Sequence, residues 1–231
     1  MVQSSLVWSG GGPSRLYHSG ARMIEIRHKM TDAILLRVDA DSLEGLKLSG
    51  VQLRGANLYK MSLRGANLVS SDLRDADLRY AILVKAALNE ASLRGASVEH
   101  ADLSGADCTS GDFNDAQLLD ANLADTIFRY SQMVGANLER ACLAGADMSM
   151  ADLRANFHGA DLRNADLRAS DLTGANLVGA ILEGADMTDA KMAGARLVGA
   201  KMNGAIDVQG RLCVGGTGVQ KKSSKSWWRL W

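Results

Sequence analysis

Residues 56–75 read ANLYK MSLRG ANLVS SDLRD, and residues 185–204 read ADMTD AKMAG ARLVG AKMNG. Between and around these stretches, from Asp41 to about Ala205, every fifth residue is Leu, Met, Phe or another apolar group. The residue two before it is usually Ala, and about 33 such blocks follow one another. Self-similarity at a short fixed period marks a stacked repeat architecture. A helix would need apolar spacing near 3.6 and a half-buried strand a spacing of 2, so a spacing of five fits neither. It fits a coil in which each block is one short side. The central residue points inward, the small residue two before it also points inward, and Gly, Asp or Asn turns the corner. Four such sides close a coil of 20 residues, so residues 20 apart stack at the strand spacing of about 4.8 Å.

The 20-residue coil is testable within the sequence. Ser71, Gly111, Ser131 and Ser170 replace the inward Ala, and all four fall on the same side. Arg54, Arg74 and Arg94 also stack on that side. Phe113, Phe128 and Phe157, with Met133, Met148, Met187, Met192 and Met202, all take the central inward position. The register slips once: the central residue after Leu153 is Phe157, one residue early, and the period then resumes. A residue lost at a surface corner is expected to tighten or kink the coil locally.

The blocks resemble those of the pentapeptide-repeat family: a small residue, Asp or Asn, Leu or Phe, then two variable positions. The resemblance covers about 165 of the 231 residues. It implies an all-β fold, a right-handed quadrilateral parallel β-helix of about eight coils with short strands along four faces. Most members of the family carry no assigned activity. A subset, the quinolone-resistance and related gyrase-inhibiting members, are dimers that imitate duplex DNA and bind type II topoisomerases. No site residue is carried over from that subset.

Four regions are expected. Residues 1–22 carry Ser, Gly and the single proline, Pro13, without periodicity, and read as a disordered segment with Met23 as an alternative start. Residues 23–40 alternate apolar positions (Ile24 and Ile26, then Ile34, Leu36 and Val38) around Met30–Ala33, a β-hairpin that would cap the first coil. Residues 41–207 form the β-helix, and residues 208–231 a basic, Trp-rich tail. Eight coils give a rod of about 40 Å, and its ladder of Leu, Met and Phe contributes about 1.5–3 kcal/mol of gross burial per side chain. Three cysteines, with Cys108 inward and Cys142 on another side, do not suggest a disulfide framework. No stretch reaches 18 apolar residues and the first residues lack a signal-peptide core, so the expectation is a reducing cytoplasm.

Candidate sites lie on the surface. Arg54, Arg74 and Arg94 form a ladder that could hold an acidic partner, or a solvated face neutralised by Asp72 and Asp75. A belt from Gly95 to Phe128 holds Glu99, Asp102, Asp107, Asp112, Asp115, Asp120 and Asp125 without Lys or Arg. Asp41–Asp207 carry 23 acids and 16 bases, so the zero net charge of the chain conceals an acidic rod with basic ends. DNA mimicry would want acids in stripes, yet these are spread over four sides, and Asp102, Asp107 and Asp112 occupy the position where the repeat itself prefers Asp. His100 and His158 lie three coils apart, about 14 Å, too far to share a metal. No catalytic, metal or cofactor residue is expected, and the corner glycines are not a phosphate loop. Outward Val178, Ile181 and Val198 offer an apolar strip. Beyond it the tail holds Trp227, Trp228, Leu230 and Trp231 beside Lys221, Lys222, Lys225 and Arg229.

The function expected is a non-enzymatic protein-interaction or scaffold module. A DNA-mimicking topoisomerase binder is the alternative, and membrane docking through the tail ranks third. The expected partner is another protein, with a homodimer through the C-terminal end as a further option and no direct contact with nucleic acid.

Overall fold

The hydrogen bonds of one block show why five residues make a side. The computed structural model describes residues 23–214, and the block Ser71–Asp75 is representative. Asp72 donates its backbone N–H down to Val51 O (2.9 Å), and Leu73 donates up to Ser92 O (2.8 Å). Asp75 donates to Arg94 O (3.0 Å), and Ala76 closes the corner onto Leu73 O (3.1 Å). That leaves the N–H of the fourth residue, Arg74, which the Asp72 carboxylate accepts at 3.1 Å. Every donor of the side is thereby satisfied, as a buried backbone requires. The preference for Asp or Asn at the second position is this bond: it caps the one amide that the ladder between coils cannot reach. The fifth residue is left-handed (φ 58° at Asp75, 60° at Tyr80), as the third residue of a type II turn must be.

Parallel bridges join residues 20 apart, as in Gln52–Asp72 and Asp72–Ser92, around all four sides. The register slip is absorbed within one corner. Ala155 N donates to Leu153 O at 2.8 Å, spanning two residues instead of three. Four bridges then run 19 apart, from Asn137–Asn156 to Asp152–Asp171, and the 20-residue spacing resumes at Asn156–Asn176. The corner tightens as expected, and the ladder stays unbroken.

Leu53, Leu73, Leu93 and Phe113 are fully buried in one stack. The Phe113 and Phe128 rings meet edge to face at 5.3 Å. Gly111 makes room for this pair, since a Cβ there would lie 2.8 Å from the Phe113 ring and 3.0 Å from Cys108 O. One reading needs correction. Polar replacements of the inward Ala are not confined to a single side, because buried Thr126 occupies that position on the adjacent one. Its hydroxyl donates to Leu103 O at 2.9 Å, which makes the exchange tolerable.

Both ends carry an added antiparallel segment. At the N-terminal end β1 (Met23–Arg27) and β2 (Ile34–Asp39) pair antiparallel. The chain leaving β1 lies on the first coil: Asn57 N donates to Arg27 O (2.7 Å), and Lys29 N to Gly55 O (2.8 Å). The His28 ring covers Gly55, where any side chain would collide with it. At the other end the last apolar inward residue of the expected 41–207 β-helix is Met202. Asp207 nevertheless takes the next inward position and is 2% exposed. Its carboxylate accepts Gln209 N (2.9 Å), Arg211 N (2.9 Å) and Arg211 Nε (2.9 Å). The chain therefore reverses, and Leu212 bridges antiparallel to Ile206.

Candidate interaction surfaces

Outward positions stack in columns as inward ones do, so each surface feature is a ladder running along the rod. Arg54, Arg74 and Arg94 share a corner, and each has an acid. Arg54 pairs with Asp75 (3.1 Å), Arg74 with Asp72 (2.6 Å) and Arg94 with Asp115 (3.4 Å). The sequence Asp-Leu-Arg recurs at Asp77–Arg79, Asp152–Arg154, Asp161–Arg163 and Asp166–Arg168, and in each the guanidinium folds back onto the carboxylate two residues earlier. This tripeptide was visible in the sequence as a local neutralising device and escaped the charge count.

The acidic belt is dispersed and largely engaged. Asp102, Asp107 and Asp112 accept the amides of Ser104, Thr109 and Asn114. Asp120 holds Arg140 through two bonds of 2.8 Å. Asp115 and Asp125 stand at left-handed corners (φ 60° and 56°) with their carboxylates over Gly135 and Gly145 of the next coil. Glu99 shares a column with Glu139, and one of its oxygens is buried without a bond partner among the described residues.

Bonds from the arginine two residues on hold the carboxyls of Asp72, Asp77, Asp161 and Asp166 below the ordinary value of 3.8. Burial works to raise the Asp207 carboxyl, but the Arg211 backbone and side chain and the Gln209 amide outweigh it, so this group is lowered too. A depressed folded pKa contributes stability that is complete above the unfolded pKa and disappears as pH falls through the folded one. Melting temperature is therefore expected to be flat from neutrality down to about pH 4 and to fall below it. A series of melts across that range checks this, and a decline between pH 7 and 5 would implicate other groups.

The corner beyond the Asn57 side carries two exposed tyrosines in contact with each other. Tyr59 and Tyr80 (41% and 46% exposed) meet edge to face at 5.8 Å, and Tyr80 stacks on His100 at 4.8 Å with an interplanar angle of 16°. Lys60 Nζ lies 5.1 Å from the Tyr59 ring centre and 5.7 Å from that of Tyr80, and Arg79 lies 5.6 Å from Tyr59. The column continues through Asp120, 4.0 Å from His100 Nδ1, to Arg140. At its other end Tyr59 borders a hollow of about 330 Å³ beneath the hairpin tip, where His28, Lys29, Asn57 and Met61 also line the wall. Lys60, Tyr80 and His100 are 20 apart, so the rule that assembled the arginine ladder would have assembled this one.

Val178 and Val198 share the C-terminal stretch of that corner, with Val198 74% exposed, while Ile181 lies half-buried on the next side. Trp227, Trp228 and Trp231 lie outside the described residues, as does the segment 1–22. Among the described residues no three His, Cys, Asp or Glu converge to hold a metal ion, and no helix is long and apolar enough to cross a membrane.

The family model for pentapeptide repeats matches in eight copies, with matched ranges including 47–83, 71–107, 116–154, 131–174, 153–189 and 170–206, more than half of the chain. The chain belongs to the pentapeptide repeat family. Its fold is accordingly the right-handed quadrilateral parallel β-helix. Among solved structures it is similar to HetL, a pentapeptide repeat protein involved in heterocyst differentiation regulation from Nostoc sp. strain PCC 7120. Identity is 30% over 74% of this chain and 89% of HetL, with a TM-score of 0.42. It is also similar to QnrB1, a plasmid-mediated fluoroquinolone resistance protein, at 18% identity over 71% of this chain and 78% of that one, with a TM-score of 0.43. A pentapeptide repeat protein from the thylakoid lumen of Arabidopsis thaliana is 28% identical over 48% of this chain and 64% of its own, with a TM-score of 0.27. No curated protein matches this pentapeptide repeat chain.

Proposed function

We propose that this pentapeptide repeat chain is a non-enzymatic protein-interaction module of the reducing cytoplasm, and that it meets its partner protein through the Tyr59–Tyr80–His100 corner. One observation carries the reading. Three rings contact one another in sequence along a single exposed column, Tyr59 edge to face with Tyr80 at 5.8 Å and Tyr80 stacked on His100 at 4.8 Å. The rings stand exposed on a rigid edge with Lys60 and Arg79 beside them. Aromatic and cationic anchors of this kind dominate the energetics of protein interfaces. Cys108, Cys142 and Cys213 form no disulfide with one another, which supports a reducing compartment.

The alternative is a DNA mimic that engages a type II topoisomerase such as gyrase. It would draw on Glu99, Asp115, Asp120 and Asp125, but these stand at three different corners, and Asp115 and Asp120 already hold arginines. They form no continuous acidic stripe.

The test uses the double variant Tyr59→Ser/Tyr80→Gly, which removes both rings and places Gly where the backbone favours it. Affinity capture from the native host, read by mass spectrometry, is expected to lose the specific partner while the melting temperature holds or rises. Retention of the same proteins would sink the proposal. In parallel, the parent is titrated into a gyrase supercoiling assay, where no inhibition is expected. Inhibition that vanishes when Asp115, Asp120 and Asp125 become Asn would reverse the ranking.

A further inference from the structure

Among the described residues, three of the four sides of the last coil have no segment laid on them. From Gly45 to Asp189 the central residue and the fifth residue of each full block donate their N–H groups up to the next coil. At Met192, Gly194, Leu197, Gly199 and Met202 these donors have no acceptor among the described residues, and the carbonyls of Ala195 and Ala200 have no donor. Of the segment after Asp207, the described residues 208–214 cover the fourth side and its corner, where Cys213 N donates to Ala205 O (2.7 Å) and Gly204 N to Cys213 O (2.9 Å). The apolar interior opens at the same place. Leu197 and Met202 are half-buried, whereas their counterparts one coil earlier, Leu177 and Leu182, are fully buried. An edge of this kind is a template for an added strand.

The molecule already shows how such an edge is closed. Residues 27–29 lie antiparallel on the first coil, with His28 bridging Ala56, and Leu212 lies antiparallel on Ile206. The side of Ala56 is the side of Ala195–Gly199, so the face capped by the hairpin at one end is the face left open at the other.

Charge selects the occupant. The outward second positions of the three open sides are Lys191, Arg196 and Lys201, a rim of three cations. Lys191 lies 3.8 Å from Asp171, while Arg196 and Lys201 make no ion pair among the described residues. A second copy meeting end to end would present the same three cations to this rim. Residues 215–231 of the chain itself bring Lys221, Lys222, Lys225 and Arg229. Both encounters place like charges together. An extended segment with acidic side chains on one face and apolar ones on the other satisfies the rim, the open amides, the half-buried Leu197 and Met202 and the exposed Val198 at once.

We propose that the C-terminal edge at residues 195–202 binds an extended acidic segment of a partner protein by strand addition, with Arg196 and Lys201 reading its carboxylates. The surface is separate from the Tyr59–Tyr80–His100 corner, and either proposal can fail without the other.

The probe is a fluorescein-labelled heptapeptide of alternating Val and Glu, added to the full chain. Its controls are an alternating Val and Lys peptide and a backbone N-methylated Val and Glu peptide. Binding is expected for the first alone, together with slowed hydrogen exchange at the amides of Leu197, Gly199 and Met202. Arg196→Glu/Lys201→Glu, two exposed positions, is expected to weaken it by roughly tenfold or more and to admit the Val and Lys peptide instead. Absence of binding, equal binding of the N-methylated peptide, or binding without protection of those amides would overturn the proposal. So would two results without peptide. Protection of those amides that is lost on truncation after Val214 would show the chain's own tail in place. Protection that grows with protein concentration would show a second copy there.

Discussion

Leu93→Asp is expected to abolish cooperative folding. Leu93 is fully buried, stacked between Leu73 and Phe113 in a ladder that continues unbroken through the rod. A carboxylate there would lose its water with no cation within the core to pair it, and the neutral acid would still lack a hydrogen-bond partner. Burying an unpartnered polar group costs several kcal/mol, and a charge costs far more. Removing the leucine adds a further 2–5 kcal/mol of lost packing. The sum meets or exceeds the stability of an ordinary domain, about 5–15 kcal/mol. In a repeat rod the defect also severs the coils on one side from those on the other, since each coil touches only its neighbours. Circular dichroism and chemical denaturation provide the measurement. A sigmoidal transition near that of the parent would show that position 93 does not face inward.

Gly111→Ala is expected to destabilise the rod by about 1–3 kcal/mol, the usual cost of overpacking a filled core, although it moves the sequence toward its own repeat. Ala is the residue most blocks carry at that position, so the pattern alone would call the change an improvement. The neighbours decide otherwise. A Cβ at 111 would lie 2.8 Å from the Phe113 ring and 3.0 Å from Cys108 O. The ring is held against Phe128, so neither obstacle yields without cost. Phe113→Leu in the same chain removes the ring and should recover most of the loss, whereas the two changes far apart would simply add. Denaturant midpoints of the parent, both single variants and the double variant test this. Equal midpoints for the parent and Gly111→Ala would mean that the Phe113 ring lies elsewhere.

The four-sided coil was legible in the sequence because its interior admits one arrangement. The spacing of five, the small residue two before each apolar one and the left-handed corner all recur at every side, so local and global preferences agree along the rod. The same arithmetic of 20 placed Leu53, Leu73, Leu93 and Phe113 in one stack and Arg54, Arg74 and Arg94 in another. It passed over Asp207, because hydrophobicity was the marker of an inward position. That carboxylate is tolerated only because three donors from Gln209 and Arg211 surround it, and those donors reach it through a reversal of the chain.

What the sequence by itself determined is the geometry of the repeat: which side chain points in, which turns the corner, and which residues stack. This follows because every inward position has the same neighbours one coil above and one coil below. What only the tertiary structure decided is how unlike neighbours settle with one another. It includes the room that Phe113 takes from Gly111, the two-residue corner at Leu153–Ala155, the stacking of Tyr80 on His100 and the acid with which each of Arg54, Arg74 and Arg94 pairs. It also includes the end of the rod, where the amides of Leu197, Gly199 and Met202 find no acceptor among the described residues. Column membership follows from counting, but which rotamer a side chain takes and which group it bonds depend on distances of a few tenths of an ångström. Those distances are set by contacts between residues 20 apart.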